Sequence, residues 1–322
     1  MRNTILVTGA AGFVGGHLIS QLTQEAGETR LVAWRRPRST KAHPYHPPRP
    51  HRDRAVTWQE VNLLDPTAVS DAVASCQPTQ VYHCAGVANV GDSWANGYET
   101  LRSNVLGTEH LLKALHTLDT TTRVLIPGSA LVYGPSTTAI TETDPLGPVS
   151  PYGLSKLAQE LLGQAAVEQD GMDVILTRSF THVGPGQTPS YAAASFAQQI
   201  ANIERGRASP VLSVGNLDAR RDLTDVRDTV RAYLTLMACG QPGRPYNVCT
   251  GTAYRIDDVL SGLLSMTAVD VAVRPDPQRS RPSDNPLLLG DRTRITKETG
   301  WAPKLGLDQT LADLLNYWRR MV

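Results

Sequence analysis

The chain has 322 residues, with 31 Lys and Arg against 30 Asp and Glu and a formal net charge of +1. Hydrophobic residues make up 41% and charged residues 19%, a balance that excludes an intrinsically disordered chain and gives no whole-chain electrostatic reason to bind nucleic acid. No run of about 18 apolar residues occurs, so no membrane span is expected, and the N-terminal MRNTILVTGAAGFVGG does not read as a signal peptide.

The predicted elements alternate through the first half. Thr4–Thr8 reads as a strand, then a glycine-rich turn, then an amphipathic stretch to about Ala26. Strands follow at Arg30–Trp34, Val56–Val61 and Gln80–Cys84. A helical pattern runs from Tyr98 to Leu118, a strand from Arg123 to Pro127, a helix from near Ser150, and a strand over Asp173–Arg178. This order predicts a doubly wound α/β fold with a parallel sheet covered on both faces. The second half is less regular, with helical signals at Ala193–Arg205, Val226–Ala238, Ile256–Leu264 and Asp308–Met321. The expected division is a dinucleotide-binding domain over 1–177, to which 220–250 return, and a smaller lobe of 178–219 and 251–322.

Cys76, Cys84, Cys239 and Cys249 include no C-x-x-C pair. A disulfide framework or zinc site is therefore not expected, and a reduced, cytoplasmic setting is. Residues 35–54 hold seven basic residues and three histidines among prolines. The bland reading is a surface loop, and His43, His46 and His51 are not expected to hold a metal.

Gly9, Gly12 and Gly15 lie in TGAAGFVG directly after the first strand. Glycine there permits a tight turn and close approach of a pyrophosphate, and the backbone of Phe13 and Val14 opens the next helix with its positive dipole end. An acid at the end of strand two would repel a 2′-phosphate, but Arg35 and Arg36 stand there instead. Guanidinium groups suit a phosphate, so NADP(H) is the expected cofactor. Asn62, with Leu63 beside it, and the small residues Ala85 and Gly86 of the HCAG turn complete the expected adenosine side.

Tyr152 and Lys156 in SPYGLSK fall at i, i+4 on one helix face, after an N-cap Ser150 and Pro151. Free tyrosine titrates near 10, about three units too high for easy proton exchange at neutral pH. A neighbouring ammonium is expected to lower that value. Ser129, closing strand five in GSALVYG, offers a hydroxyl to a substrate oxygen at the same face.

TGAAGFVG, HCAG, the Ser129 turn with VYG, SPYGLSK and RRDLTDVRD together resemble the extended short-chain dehydrogenase/reductases that act on nucleotide sugars. The resemblance spans essentially the whole chain. It implies a Ser129–Tyr152–Lys156 triad, with Tyr152 the proton donor or acceptor and Lys156 also holding the nicotinamide ribose. Asn104 matches a helix position associated with the active site in that family. The 4,6-dehydratases of the family use an acid two residues after the serine, where this chain has Leu131. Leucine can neither donate nor accept a proton.

Three further runs, GNLDARRDLTDVRD, RSFTHVGPGQ and RPSDNPLLLGD, look like the GDP-mannose branch of the family. That likeness implies NADPH-dependent reduction of the C4 keto group of a GDP-4-keto-6-deoxyhexose. Arg221 and Arg281 would hold the diphosphate, Asp284 a ribose hydroxyl, and Gly215, Asn216 and Leu217 would shape the guanosine pocket. Arg178 and Thr181 would face the sugar, Thr181 standing where the family commonly has an amide. A homodimer is also implied, paired through the helices at Tyr98–Leu118 and Ser150–Gln169. An NDP-sugar 4-epimerase, a 4,6-dehydratase-like enzyme and a non-catalytic nucleotide-sugar sensor stay open as alternatives.

Overall fold

β-Branched and aliphatic runs alternate faces along each early strand, and this sets the layers. In the computed structural model, which describes residues 3–24, 29–37, 56–118, 120–279 and 285–322, these runs are β1 (Thr4–Thr8), β2 (Arg30–Arg35), β3 (Val56–Glu60), β4 (Gln80–His83), β5 (Arg123–Ser129) and β6 (Asp173–Ser179). His43, His46, His51, Arg281 and Asp284 lie outside the described residues. Ile5 and Val7 point to one face of the sheet, where α1 (Phe13–Leu22) packs, and Leu6 points to the other. The second face is covered by α2 (Pro66–Cys76), α5 (Gly107–His116) and α6 (Pro151–Asp170). Burying each such Leu, Ile or Val stabilises the fold by roughly 1.5–3 kcal/mol.

Between β4 and α5 the chain makes short helices α3 (Val90–Ala95) and α4 (Gly97–Leu101). A π-helical turn over Arg102–Leu106 then joins α4 to α5. After β6 come β7 (Thr181–Val183), α7 (Ala192–Glu204), β8 (Val211–Val214), β9 (Arg220–Asp225), α8 (Val226–Cys239) and β10 (Pro245–Val248). The remainder is β11 (Ala253–Arg255), α9 (Ile256–Leu264), β12 (Ala272–Pro275), β13 (Leu287–Leu288), α10 (Thr293–Thr299) and α11 (Leu307–Met321).

Among the described residues the main sheet has seven strands in the order β10-β6-β5-β4-β1-β2-β3, all parallel. The fold is thus the doubly wound α/β class, and the strand order reverses between β1 and β4. Ligands of such sheets bind at the carboxyl ends beside that reversal. The chain returns to the sheet through α8, which packs with α1, and β10, which pairs with β6. β9 does not join it: it pairs with β7, β11 and β13 in a small separate sheet. That sheet sits with α7, α9 and α11 around a second core that includes Phe196, Leu212, Leu223, Leu260 and Leu314.

Candidate active site

The turn from β1 into α1 is shaped by contacts that leave no room for side chains. Gly9 has φ +63°, and a Cβ on it would lie 2.6 Å from the backbone of Ala85. A Cβ on Gly15 would lie 2.3 Å from the carbonyl oxygen of Gly9. Gly12 is the N-cap of α1 and supplies no side chain to the first helical turn. The positive end of α1 is thereby set beside the β4 turn at Ala85, which suits a pyrophosphate. Phe13 stacks on His182 with ring centroids 5.9 Å apart and meets His17 edge-on at 5.5 Å. His17 and His182 carry no glycine-turn signature, and the sequence did not single them out.

At the end of β2, Arg35 forms an ion pair with Glu60 across the β2–β3 ladder at 2.9 Å. Arg36 follows it, exposed. Asn62 turns its Oδ1 back to accept from the amide of Leu64 at 3.2 Å. The carbonyl of Leu63 contacts His110 Nδ1 at 2.8 Å. These residues line the carboxyl edge of β3, on the same side of the sheet as the glycine turn.

Ser129 ends β5, and its Oγ accepts from the amide of Leu131 at 3.2 Å. Tyr152 lies in the first turn of α6, where Ser150 Oγ accepts from the amide of Gly153 at 3.0 Å and Pro151 occupies the first helical position. Gly153 lets the helix start press against the turn after Ser129: a Cβ there would be 2.4 Å from the carbonyl oxygen of Leu131. The Tyr152 phenol is thereby brought to the Ser129 side of the turn, where the serine hydroxyl favours its phenolate. Burial pushes the Tyr152 phenol above its ordinary value, Tyr191 adds to the rise, and the Ser129 hydrogen bond opposes it. Burial, and not the expected lowering by Lys156, therefore governs Tyr152, because desolvation disfavours a phenolate. Lys156 is itself buried, and burial lowers its ammonium to about 8. Its Nζ donates to Gln159 Oε1.

Asn104 sits in the π-helical turn, fully enclosed. Its Oδ1 accepts from the amide of Val87 at 2.8 Å, and its Nδ2 donates to the carbonyl of Val87 and to Ser155 Oγ at 3.1 and 2.8 Å. Its amide is engaged with the protein, so it ties the turn after β4 to α6 rather than reaching a substrate.

Arg178 is a clear correction. Its guanidinium is 4% exposed and pairs with Glu160 at 2.6 and 2.9 Å. Its Nη1 also donates to Tyr133 Oη and to the carbonyl of Glu142 at 2.9 and 3.0 Å. A buried cation needs such partners, and those partners engage its guanidinium within the core. Thr181 opens β7, opposite Leu223.

Arg221 Nη1 donates to the carbonyl of Asn285 at 2.7 Å, next to the segment that carries Arg281 and Asp284. The neighbouring Asp222 carboxylate accepts from Thr250 N and Oγ1 and from Gly251 N at 2.7–2.8 Å, which anchors this part of β9. Asn216 Oδ1 closes its own turn on the amide of Asp218 at 2.9 Å, and Leu217 packs on the second core. A Cβ on Gly215 would meet the carbonyl oxygen of Arg279 at 2.5 Å. Tyr191, whose Oη donates to the carbonyl of Ala88 at 3.1 Å, stands by Tyr152 and was not legible as a site residue.

The glycine turn, the strand reversal and the paired serine and tyrosine are the arrangement of an extended short-chain dehydrogenase/reductase. The model of the family described as GDP-mannose 4,6 dehydratase matches residues 6–314, and the chain belongs to that family. GDP-6-deoxy-D-mannose reductase of Pseudomonas aeruginosa is 33% identical over 100% of this chain and 99% of its own. UDP-glucose 4-epimerase of Bacillus subtilis is 28% identical over 96% and 95% of the two chains. The solved structure of RMD from Pseudomonas aeruginosa complexed with NADPH aligns at a TM-score of 0.85 with 32% identity, covering 99% of this chain and 100% of that one.

Proposed function

We propose that this protein reduces the C4 keto group of a GDP-4-keto-6-deoxyhexose with NADPH, giving GDP-D-rhamnose or its C4 epimer. The observation that carries the reading is Tyr152 held against the turn of Ser129, in which Leu131 stands two residues on. Tyr152 Oη donates its proton to the C4 oxygen, and Ser129 Oγ holds that oxygen by a hydrogen bond. NADPH, when bound, supplies the hydride to C4. A phenol kept protonated by burial suits the donor role. Lys156 is an ammonium below about 8 and favours the phenolate left behind. Leu131 supplies no acid or base, so water elimination and epimerisation next to the ketone lack their proton carrier.

Gly9, Gly12 and Gly15 would receive the cofactor's pyrophosphate, and Arg35 and Arg36 its 2′-phosphate. Arg221 and Arg281 would clamp the sugar nucleotide's diphosphate, with Asp284 on its ribose and Gly215, Asn216 and Leu217 around the base. Support comes from the similarity to a reductase of GDP-6-deoxy-D-mannose and to a structure solved with NADPH.

The test is NADPH consumption by the purified protein with freshly made GDP-4-keto-6-deoxymannose, with NADH and GDP-mannose as controls. Oxidation of NADPH with the keto sugar alone is expected. A silent assay with nucleotide retained through purification would instead favour a 4-epimerase.

A further inference from the structure

Behind Lys156 runs a buried polar chain that no step of the proposed reaction uses. Gln159 Nε2 meets Thr108 Oγ1 at 2.6 Å, and Thr108 Oγ1 donates to the carbonyl of Asn104 at 2.7 Å. His83 Nε2 meets the same Thr108 oxygen at 2.9 Å, and His83 Nδ1 meets Thr8 Oγ1 at 2.8 Å. Thr8 Oγ1 accepts from the amide of Ala85 at 3.2 Å. Thr8, His83, Thr108 and Gln159 are all 2% exposed or less.

The order of donors follows from counting protons. A hydroxyl has one proton, and a carbonyl can only accept, so the proton of Thr108 is used on Asn104. Whatever else touches Thr108 Oγ1 must donate to it. That makes His83 the Nε2–H tautomer and turns the amide nitrogen of Gln159 toward Thr108. His83 Nδ1 must then accept from the Thr8 hydroxyl, which leaves Thr8 oxygen for Ala85. With its nitrogen committed, Gln159 can present only its carbonyl to Lys156. A flipped amide would set two donors face to face at the ammonium and leave Thr108 without a proton to give.

We propose that Gln159 is a positioning residue for Lys156, its side-chain carbonyl held on the ammonium by Thr108 and His83. The chain ends at Ala85, against which Gly9 packs, so the placement of Lys156 is tied to the turns that face the proposed cofactor. The inference rests on Lys156 being the catalytic lysine of the reductase reading. The titratable groups around the ammonium are His83 and Cys84 from the end of β4. Tyr152 lies one helical turn before it and in turn faces Tyr191 and Tyr233.

Two substitutions and one spectrum test this. In wild type, long-range 1H–15N spectra are expected to show His83 as the neutral Nε2–H tautomer across pH 5–9. Gln159→Glu keeps the shape and adds a charge, so the 15Nζ titration of Lys156 should move up by about one pH unit or more. Gln159→Met keeps the length and removes the acceptor, so it should move down by about one. The high-pH limb of kcat should move with it in each variant, whereas a packing role would lower kcat equally at every pH. An Nδ1–H tautomer, or a Lys156 titration unmoved in both variants, overturns the proposal. The spectra need no sugar. A moved titration with no reduction of the keto sugar would sink the substrate reading alone, and an unmoved one in an active reductase would sink only the role of Gln159.

Discussion

Arg35 and Glu60 are each about two-fifths exposed, at 37% and 41%, and such a pair stabilises a fold by only about 0–1 kcal/mol. Its consequence for binding is larger than for folding, because Glu60 occupies the guanidinium that a 2′-phosphate would use. Glu60→Gln is expected to tighten NADPH binding by up to about fivefold and leave NADH binding unchanged, measured by fluorescence titration. Equal effects on both dinucleotides would remove Arg35 from the phosphate site. Arg178 makes the opposite case. Its removal strands the buried carboxylate of Glu160, so Arg178→Ala should destabilise the protein by about 3–5 kcal/mol. Denaturant melts would show that loss, and a raised KM with normal stability would return Arg178 to the substrate site.

At the scale of elements, α6 can carry the proposed chemistry because its first turn is fixed from two sides. Ser150 and Pro151 start the helix, and the absent side chain of Gly153 sets how near it comes to the turn after Ser129. Alanine is the better helix former by up to about 1 kcal/mol, so a propensity argument predicts that Gly153→Ala stabilises. The 2.4 Å contact predicts the reverse: a loss of about 1–3 kcal/mol and a fall in kcat of at least about tenfold as Tyr152 leaves Ser129. Melts and steady-state kinetics on the same preparation separate these. A lower Tm with unchanged kcat would show that the contact does not set the serine–tyrosine geometry.

Across the whole molecule, Tyr98, Leu106, Leu154 and Leu161 are 74%, 45%, 49% and 52% exposed on the adjoining α4–α5 and α6. Leu157 and Leu162, on the same helix, pack inward. The outward set supports the proposed homodimer, since exposed apolar strips of this kind mark association surfaces. Leu154→Glu with Leu161→Glu should convert a dimer to a monomer in sedimentation; an unmodified protein that sediments as a monomer would refute the pairing.

Acid should loosen the fold as a whole. Burial lowers His182 to about 4 and His83 to about 3, whereas an unfolded histidine takes a proton at about 6.5. Between those values the unfolded chain binds more protons, so stability is full above about 6.5 and declines as pH falls toward 4 and then 3. Tm should be level above about pH 6.5 and fall below it, less steeply in His182→Leu. A slope identical in that variant would clear His182.

Six of the parallel strands were readable because each packs its apolar residues into one short run, and local covalent geometry decides which face they take. The Tyr152–Lys156 spacing and the Gly9–Gly15 turn were readable for the same reason: each is set within a turn or two of chain. β10 was not, since Pro245–Val248 is a four-residue run whose strand character comes from pairing with β6. Nor was the placement of β9, which looked like part of the main sheet until its partners were known. What the amino-acid order settled alone was therefore the layered α/β scaffold, and it put forward Ser129, Tyr152 and Lys156 as the candidate site. Folding alone decided that Arg178 serves Glu160, that Arg35 meets Glu60, and that Thr108 turns Gln159 toward Lys156. Those partners stand 18, 25 and 51 residues apart along the chain. Which of several possible charges or hydroxyls a side chain reaches over such separations depends on how whole elements pack, and no local spacing carries that information.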